Sequence, residues 1–238
     1  MKKYFLLIKL HINYLFNKIN TLLLGALALI VLILLVISSK VFMDFSAKWL
    51  DRVNYYNNYV SVTTNIFKII IPIFSIFLYG SSFLYINNDY NLIIIKERKN
   101  KVVFYITKIL SLTFVNTLII FLITLMYFNF GKLSFGKMYS KHFNLSFWFD
   151  LILTSLIYGI ISINIVIIVN NPFSYLIVMI FYIVYVSLCE MYNPNNLMMF
   201  IIPTIIENQK SNNYFLIKLF SINLHLLGGI FIFYFKNQ

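Results

Sequence analysis

Residues 151–189 read LILTSLIYGIISINIVIIVNNPFSYLIVMIFYIVYVSLC, a run of 39 residues without one formally charged side chain. A helix rises about 1.5 Å per residue, so about 20 apolar residues cross a hydrocarbon core about 30 Å thick. The run is therefore long enough for two crossings. It is interrupted once, at Asn170-Asn171-Pro172, which leaves 19 residues before the triplet and 17 after it. Asn-Pro favours a turn, and the residue before a proline is pushed out of the helical region. The stretch predicts a tight helical hairpin whose tip is that triplet.

Five further uncharged runs lie at 19–39, 69–88, 109–131, 191–206 and 219–235. The chain of 238 residues is 61% hydrophobic and only 11% charged, against roughly 25% charged in a soluble domain. Such a chain has too little polar surface to cover itself in water. Lipid offers the backbone no hydrogen-bond partner, which restricts spanning structures to helices and closed barrels. These runs lack the period-two alternation of barrel strands. The expected fold class is therefore all-α, a polytopic membrane protein with six transmembrane helices at 19–39, 66–88, 106–128, 150–169, 173–190 and 215–235. The last is short, and Lys218 and Lys236 at its ends are expected to reach the interfaces. The first run begins well inside the chain, no small-x-small cleavage site clearly follows it, and five apolar runs come after it. It reads as a retained helix, not a cleaved leader.

The formal charge is +12. In a soluble protein that would suggest nucleic acid, but here the lysines sit beside apolar runs, where they meet anionic headgroups and bias topology. The lone Cys189 offers neither a disulfide framework nor a metal-ligand cluster. Residues 1–18 place Lys2, Lys9, Asn13 and Asn17 on one side of a helical wheel and Phe5, Leu7, Ile8 and Leu15 on much of the rest. They predict an amino-terminal helix lying in the interface, with His11 and Lys18 as exceptions to the pattern. Asp44, Lys48, Asp51 and Arg52, three and four apart, suggest a short interface-lying helix within the connection 40–65, although a loop without a task fits as well. Residues 191–214, with Pro194 and Pro203, are expected to dip into the outer interface without crossing. Cation counts on the two sides are nearly equal. The amino-terminal lysines and the density from Lys96 to Lys108 favour both termini in the cytoplasm.

That topology leaves NNDYNLIIIKERKNKVVFYITKIL, residues 87–110, as the one sizeable internal cytoplasmic connection. Asn88 and Asp89 can cap a short helix whose far end carries Lys96, Arg98, Lys99 and Lys101, as the helix dipole favours. Its apolar middle, Leu92 to Ile95, is too short to span. An apolar patch with a charged rim suits docking into a partner's groove, and an ordinary positive-inside loop fits the same residues.

Residues 89–110 resemble the membrane subunits of bacterial ABC transporters of the type-2 exporter class. There the segment between the second and third crossings carries an acid, a short coupling helix, a basic turn and a lysine entering the third crossing. Asp89 matches the acid, Leu92, Ile93 and Ile94 the apolar coupling positions, Arg98 to Lys101 the basic turn, and Lys108 the entering lysine. The overall layout is similar too. Asn91 and Leu92 stand where the family often has glycine and threonine, and Lys99 and Asn100 where it often has proline.

The resemblance implies a permease subunit in the bacterial cell membrane that pairs with a second copy or a sister permease and binds two cytosolic ATP-binding subunits. Residues 89–103 would be the coupling segment. ATP and Mg would be bound by those partners, since this chain carries no phosphate loop ending in Gly-Lys-Ser/Thr and needs no cofactor of its own.

Other chemistry finds little footing. His225, near Asn223, reads as a packing residue or a ligand, and Asp150 and Glu190 as interfacial. The apolar runs contain almost no ionisable residue, which argues against a proton-driven carrier. It suggests a hydrophobic or amphipathic cargo, such as an antimicrobial peptide, toxin, drug or lipid-like molecule. His11, His142 and His225 are scattered and no hydrolase or metalloprotease motif occurs, so the chain is expected not to be an enzyme. The competing expectation is a non-transporting membrane immunity or scaffold protein.

Overall fold

The computed structural model describes residues 2–15, 25, 26, 29–31, 33, 49–84, 101–135, 145–169, 171, 173–191 and 212–236. They form six extended helices: α1 (Lys2–Leu15), α2 (Trp49–Leu84), α3 (Lys101–Phe135), α4 (Leu145–Val169), α5 (Ser174–Met191) and α6 (Asn212–Lys236). Four of these contain stretches long and apolar enough to cross a membrane, at Tyr59–Phe83, Lys101–Leu133, Leu145–Val169 and Phe215–Phe235. The chain is thus an all-α, polytopic membrane protein. The described helices meet the spanning criterion four times, not six. The apolar stretch of α5, Ser174–Cys189, is shorter, and of the expected crossing at 19–39 only 25, 26, 29–31 and 33 are described, all helical.

Helix boundaries depart from the apolar runs. α2 has 36 residues and α3 has 35, about 54 and 52 Å of helix, well beyond the hydrocarbon thickness. α2 starts at Trp49, so residues 49–65 of the connection are continuous with the crossing. Of the connection's charged residues, Asp51 and Arg52 stand in the first turn of α2, and Asp44 and Lys48 lie outside the described residues. α4 ends at Val169 and α5 begins at Ser174, which puts the break at the Asn-Asn-Pro triplet. Asn171 shapes it. Its Oδ1 accepts from the Phe173 amide at 2.9 Å, and its carbonyl accepts from the Ser174 amide and hydroxyl, the self-contained turn that an asparagine side chain can build.

Cross-helix contacts fix the directions. Phe67 meets Trp148, and the Ser162 hydroxyl donates to the Ile76 carbonyl at 2.8 Å, so α2 and α4 run parallel. α6 runs parallel to α4, pairing Thr154 with Lys218 and Asn164 with the His225 backbone. α3 is antiparallel to α2, since Tyr127 lies against Tyr59 and Thr113 against Tyr79. We call the end where α2, α4 and α6 begin the leading end, and the other the trailing end. α4 is the centre of the bundle, touching α2, α6, α5 and α3, and most of its length is buried.

Helices in lipid gain little from burying apolar groups against one another, so close backbone approach and polar links hold them. Two glycines supply that approach between α2 and its neighbours. A Cβ at Gly159 would lie 2.8 Å from Cγ of Tyr79, and one at Gly80 would lie 2.6 Å from Cβ of Tyr175. α1 packs on α3 at the trailing end. Leu7 and His11, one turn apart, are buried there, while Leu6, Lys9, Leu10 and Asn13 are exposed. His11 broke the expected interfacial pattern because it faces α3, with its ring 5.2 Å from that of Phe104.

Candidate functional site

Of the residues singled out for coupling, Lys101 and Lys108 are described; Asp89, Leu92, Ile93, Ile94 and Arg98 lie outside the described residues. Lys101 opens α3 and is half-buried. Lys108 follows two turns later and is buried, 3% exposed. Its Nζ donates to the Ser82 carbonyl at 2.7 Å and lies 4.5 Å from the centre of the Phe83 ring and 5.6 Å from that of Phe104. The physical reason lies in α2. The last turn of any helix has carbonyls without helical donors and carries the negative end of the dipole. Ser82 is in that turn, so an ammonium satisfies both the orphan acceptor and the field, and the two ring faces add cation–π attraction.

The same rings tie in two more elements. Phe233 of α6 stacks on Phe104 at 6.2 Å and lies 5.4 Å from Tyr105 and 6.5 Å from Phe83. His11 brings in α1. The helices that bracket residues 85–100 are therefore fastened to each other at their roots, and to α1 and α6.

A second cluster stands at the leading end. Lys218 of α6 has no exposed surface; its Nζ pairs with the Asp150 carboxylate of α4 and donates to Thr154 Oγ1 at 2.6 Å. Thr154 in turn donates to the Asp150 carbonyl at 2.8 Å. Lys68 of α2, also buried, reaches Asn65 Oδ1 at 3.5 Å, and its charge bears on Asp150. Asp150 is 19% exposed at its side chain. One carboxylate thus pairs with a buried ammonium and feels the charge of a second.

This cluster corrects the expectation that the spans hold almost no ionisable residue, since the candidate spans include Lys68, Lys108, Asp150 and Lys218; Asp150 and Lys218, near the starts of α4 and α6, turn to each other. The uncharged runs were bounded by charges, and the helices extend past those bounds. Lys68, Lys108 and Lys218 each stand immediately before such a run and are carried into a helix, on its inward face. The spacing marks a helix face but not which way that face turns. Lys218, Ser221, His225, Gly229 and Phe233 recur at intervals of three and four and form the inward stripe of α6. Lys218, Ser221, Gly229 and Phe233 are buried, and His225 is half-buried. Asn223 is on the exposed side and donates to the Leu219 carbonyl.

Between the two clusters lies a polar link. Tyr105 donates to Asn164 Oδ1 at 3.0 Å, and Asn164 Nδ2 donates to the His225 carbonyl at 3.0 Å. Gly229 sits directly against this pair, where a Cβ would collide with the Tyr105 hydroxyl and Asn164 Oδ1. His225 thus enters through its backbone.

No protein-family model, curated protein or solved structure matches this chain significantly. Its own residues make it a multi-pass helical membrane protein, fastened at both ends by buried lysines.

Proposed function

We propose that the chain is the permease subunit of an ATP-driven exporter, in which residues 89–103 receive the movement of two cytosolic ATP-binding subunits. Residues 19–39 and α5 complete six crossings with the four long spans, and both termini are cytoplasmic. The chain pairs with a second copy or a sister permease, and alternating opening of that pair moves a hydrophobic or amphipathic molecule out of the bacterial cell. The observation that carries this reading is the Lys108–Ser82 link. A coupling segment transmits displacement only if its two roots move together, and Lys108 joins them. The Phe104–Phe233 stack and His11 pass the same displacement to α6 and α1. A loop without a mechanical task needs no such joint.

The test is purification of the chain from its native membrane, with bound ATPase subunits identified by mass spectrometry, before and after replacing Leu92, Ile93 and Ile94 by Asp. The proposal expects an ATPase subunit with the wild type and its loss from the variant. Unchanged recovery would falsify docking at this segment, and a wild-type complex without any ATPase would remove the exporter reading.

A further inference from the structure

α6 lies at the edge of the bundle. Only 17% of its apolar window is buried, against 61% in α4 and 67% in α2. Its inward stripe, from Lys218 to Phe233, is committed to α4 and to the rings of α3. The opposite stripe turns away from both. Leu216, Asn223, Leu227 and Tyr234 recur there at intervals of seven, four and seven, and all four are exposed. They share one heptad register, the seam along which two helices pack at a crossing angle of about 20°.

Lipid solvates the leucines of that seam as well as another helix would. Asn223 is different. It stands near the middle of the span Phe215–Phe235, where no water reaches its amide. One N–H donates to the Leu219 carbonyl of its own helix at 2.9 Å. That leaves a second N–H and the lone pairs of Oδ1, which bond to nothing else among the described residues. The apolar run 19–39 cannot serve them at that depth, because no residue from Leu22 to Ile37 has a side chain that hydrogen-bonds. An identical amide can. Two copies inserted with one topology are related by an axis along the membrane normal, so their helices run parallel and a residue near the axis faces its own counterpart. Two asparagines that meet in this way are self-complementary, each spare N–H donating to the other's Oδ1.

We propose that the outward face of α6 is where a second copy of this chain docks, with Asn223 bonded to its counterpart and Leu216 and Leu227 packed on theirs. A single asparagine in an otherwise apolar seam fixes register and the number of helices, and helix pairing in lipid draws on such polar contacts. Of the two partners named for the exporter this is the second copy, and to that extent the inference rests on the exporter reading.

Single cysteines in the full-length chain test it in native membranes, with Cys189→Ser as background. On mild oxidation Leu227→Cys should give a disulfide-linked product of twice the chain mass, and Leu110→Cys, exposed on α3, should not. In detergent, sedimentation over a range of protein-to-detergent ratios should show a monomer–dimer equilibrium. Asn223→Leu should weaken that dimer about tenfold, as loss of interhelical hydrogen bonds in a membrane does, and Asn223→Gln, which keeps donor and acceptor, should restore most of it. A Leu227→Cys chain that stays monomeric leaves the face to lipid or to the chain's own residues and overturns the proposal. So does a cross-linked product of another mass, a product equally strong at Leu110→Cys, or a dimer indifferent to Asn223→Leu. Recovery of ATPase subunits from the same membranes separates the two readings. A dimer with no ATPase keeps this face and removes the exporter, and an ATPase complex without the Leu227→Cys cross-link does the reverse.

Discussion

The Tyr182 hydroxyl donates to the backbone carbonyl of Lys68, the acceptor that Pro72 leaves without a helical donor. Proline has no amide hydrogen, so within α2 the carbonyl four residues before Pro72 loses its partner. In a bilayer no water replaces it, and neighbouring helices must. Tyr182 of α5 does so, and its ring is held at 4.5 Å, edge to face, by Tyr158 of α4. One proline in α2 therefore dictates a polar residue on α5.

Tyr182→Phe should lower stability by about 1–2 kcal/mol, the cost of an orphaned buried acceptor less partial compensation within the membrane. In a Pro72→Ala background the helix regains its own donor, and the same tyrosine change should cost well under half as much. Thermal unfolding of the four proteins of this cycle in detergent measures the difference. Equal costs in both backgrounds would separate the hydroxyl from the proline.

Gly159→Ala should destabilise by about 1–3 kcal/mol, the usual penalty for overpacking, because the added methyl meets three atoms of the fully buried Tyr79 ring within 3.0 Å. Gly228→Ala is the control, since its methyl meets nothing and alanine is the better helix former by about 1 kcal/mol. Unfolding temperatures falling for the first and holding or rising for the second are expected. A tolerated Gly159→Ala would mean that α2 and α4 can separate freely.

The helical, membrane-spanning class was legible because run length against bilayer thickness is a nearly one-variable argument. The Asn-Asn-Pro break was legible because it acts on its own backbone. The buried lysines were not, for a reason that Lys218 makes plain. A lysine beside an apolar run has the same local sequence whether it reaches outward to headgroups or inward to a carboxylate. The choice depends on Asp150, which is distant in the chain, and on which face α4 offers. The same holds for Tyr182, whose partner is created by a proline on another helix. Of the candidate site, Lys108 was named through the family resemblance; its acceptor on Ser82 was not legible.

Lys108→Met should leave stability within about 1 kcal/mol of the wild type. Two effects oppose each other. The variant orphans the Ser82 carbonyl, at a cost of about 1–3 kcal/mol, and removes a buried ammonium whose desolvation is of similar or larger size. Under the exporter reading the role of Lys108 is the joint it makes. Hydrogen exchange at amides 81–84 should therefore quicken, and under the exporter reading transport should fall while ATPase recovery persists. A loss of stability above about 3 kcal/mol would make Lys108 a structural lysine instead.

The Lys218–Asp150 pair should respond unequally to loss of its two members. Breaking a buried pair costs about 3–5 kcal/mol, because the survivor keeps its charge without compensation. Here the survivors differ. Asp150 stands near the start of α4 with 19% of its side chain exposed, whereas Lys218 has none. Removing the lysine leaves a carboxylate that water reaches and that Lys68 still attracts. Removing the acid leaves a fully enclosed ammonium with Thr154 at 2.6 Å, an oxygen without charge. Asp150→Leu should thus destabilise more than Lys218→Met, and the double variant should recover much of the larger loss, since no uncompensated charge of the pair remains. Unfolding of the three variants against wild type in the same detergent gives the order. A double variant no more stable than Asp150→Leu would show that the two side chains act separately, and a reversed order would place the water-accessible side of the cluster at Lys218.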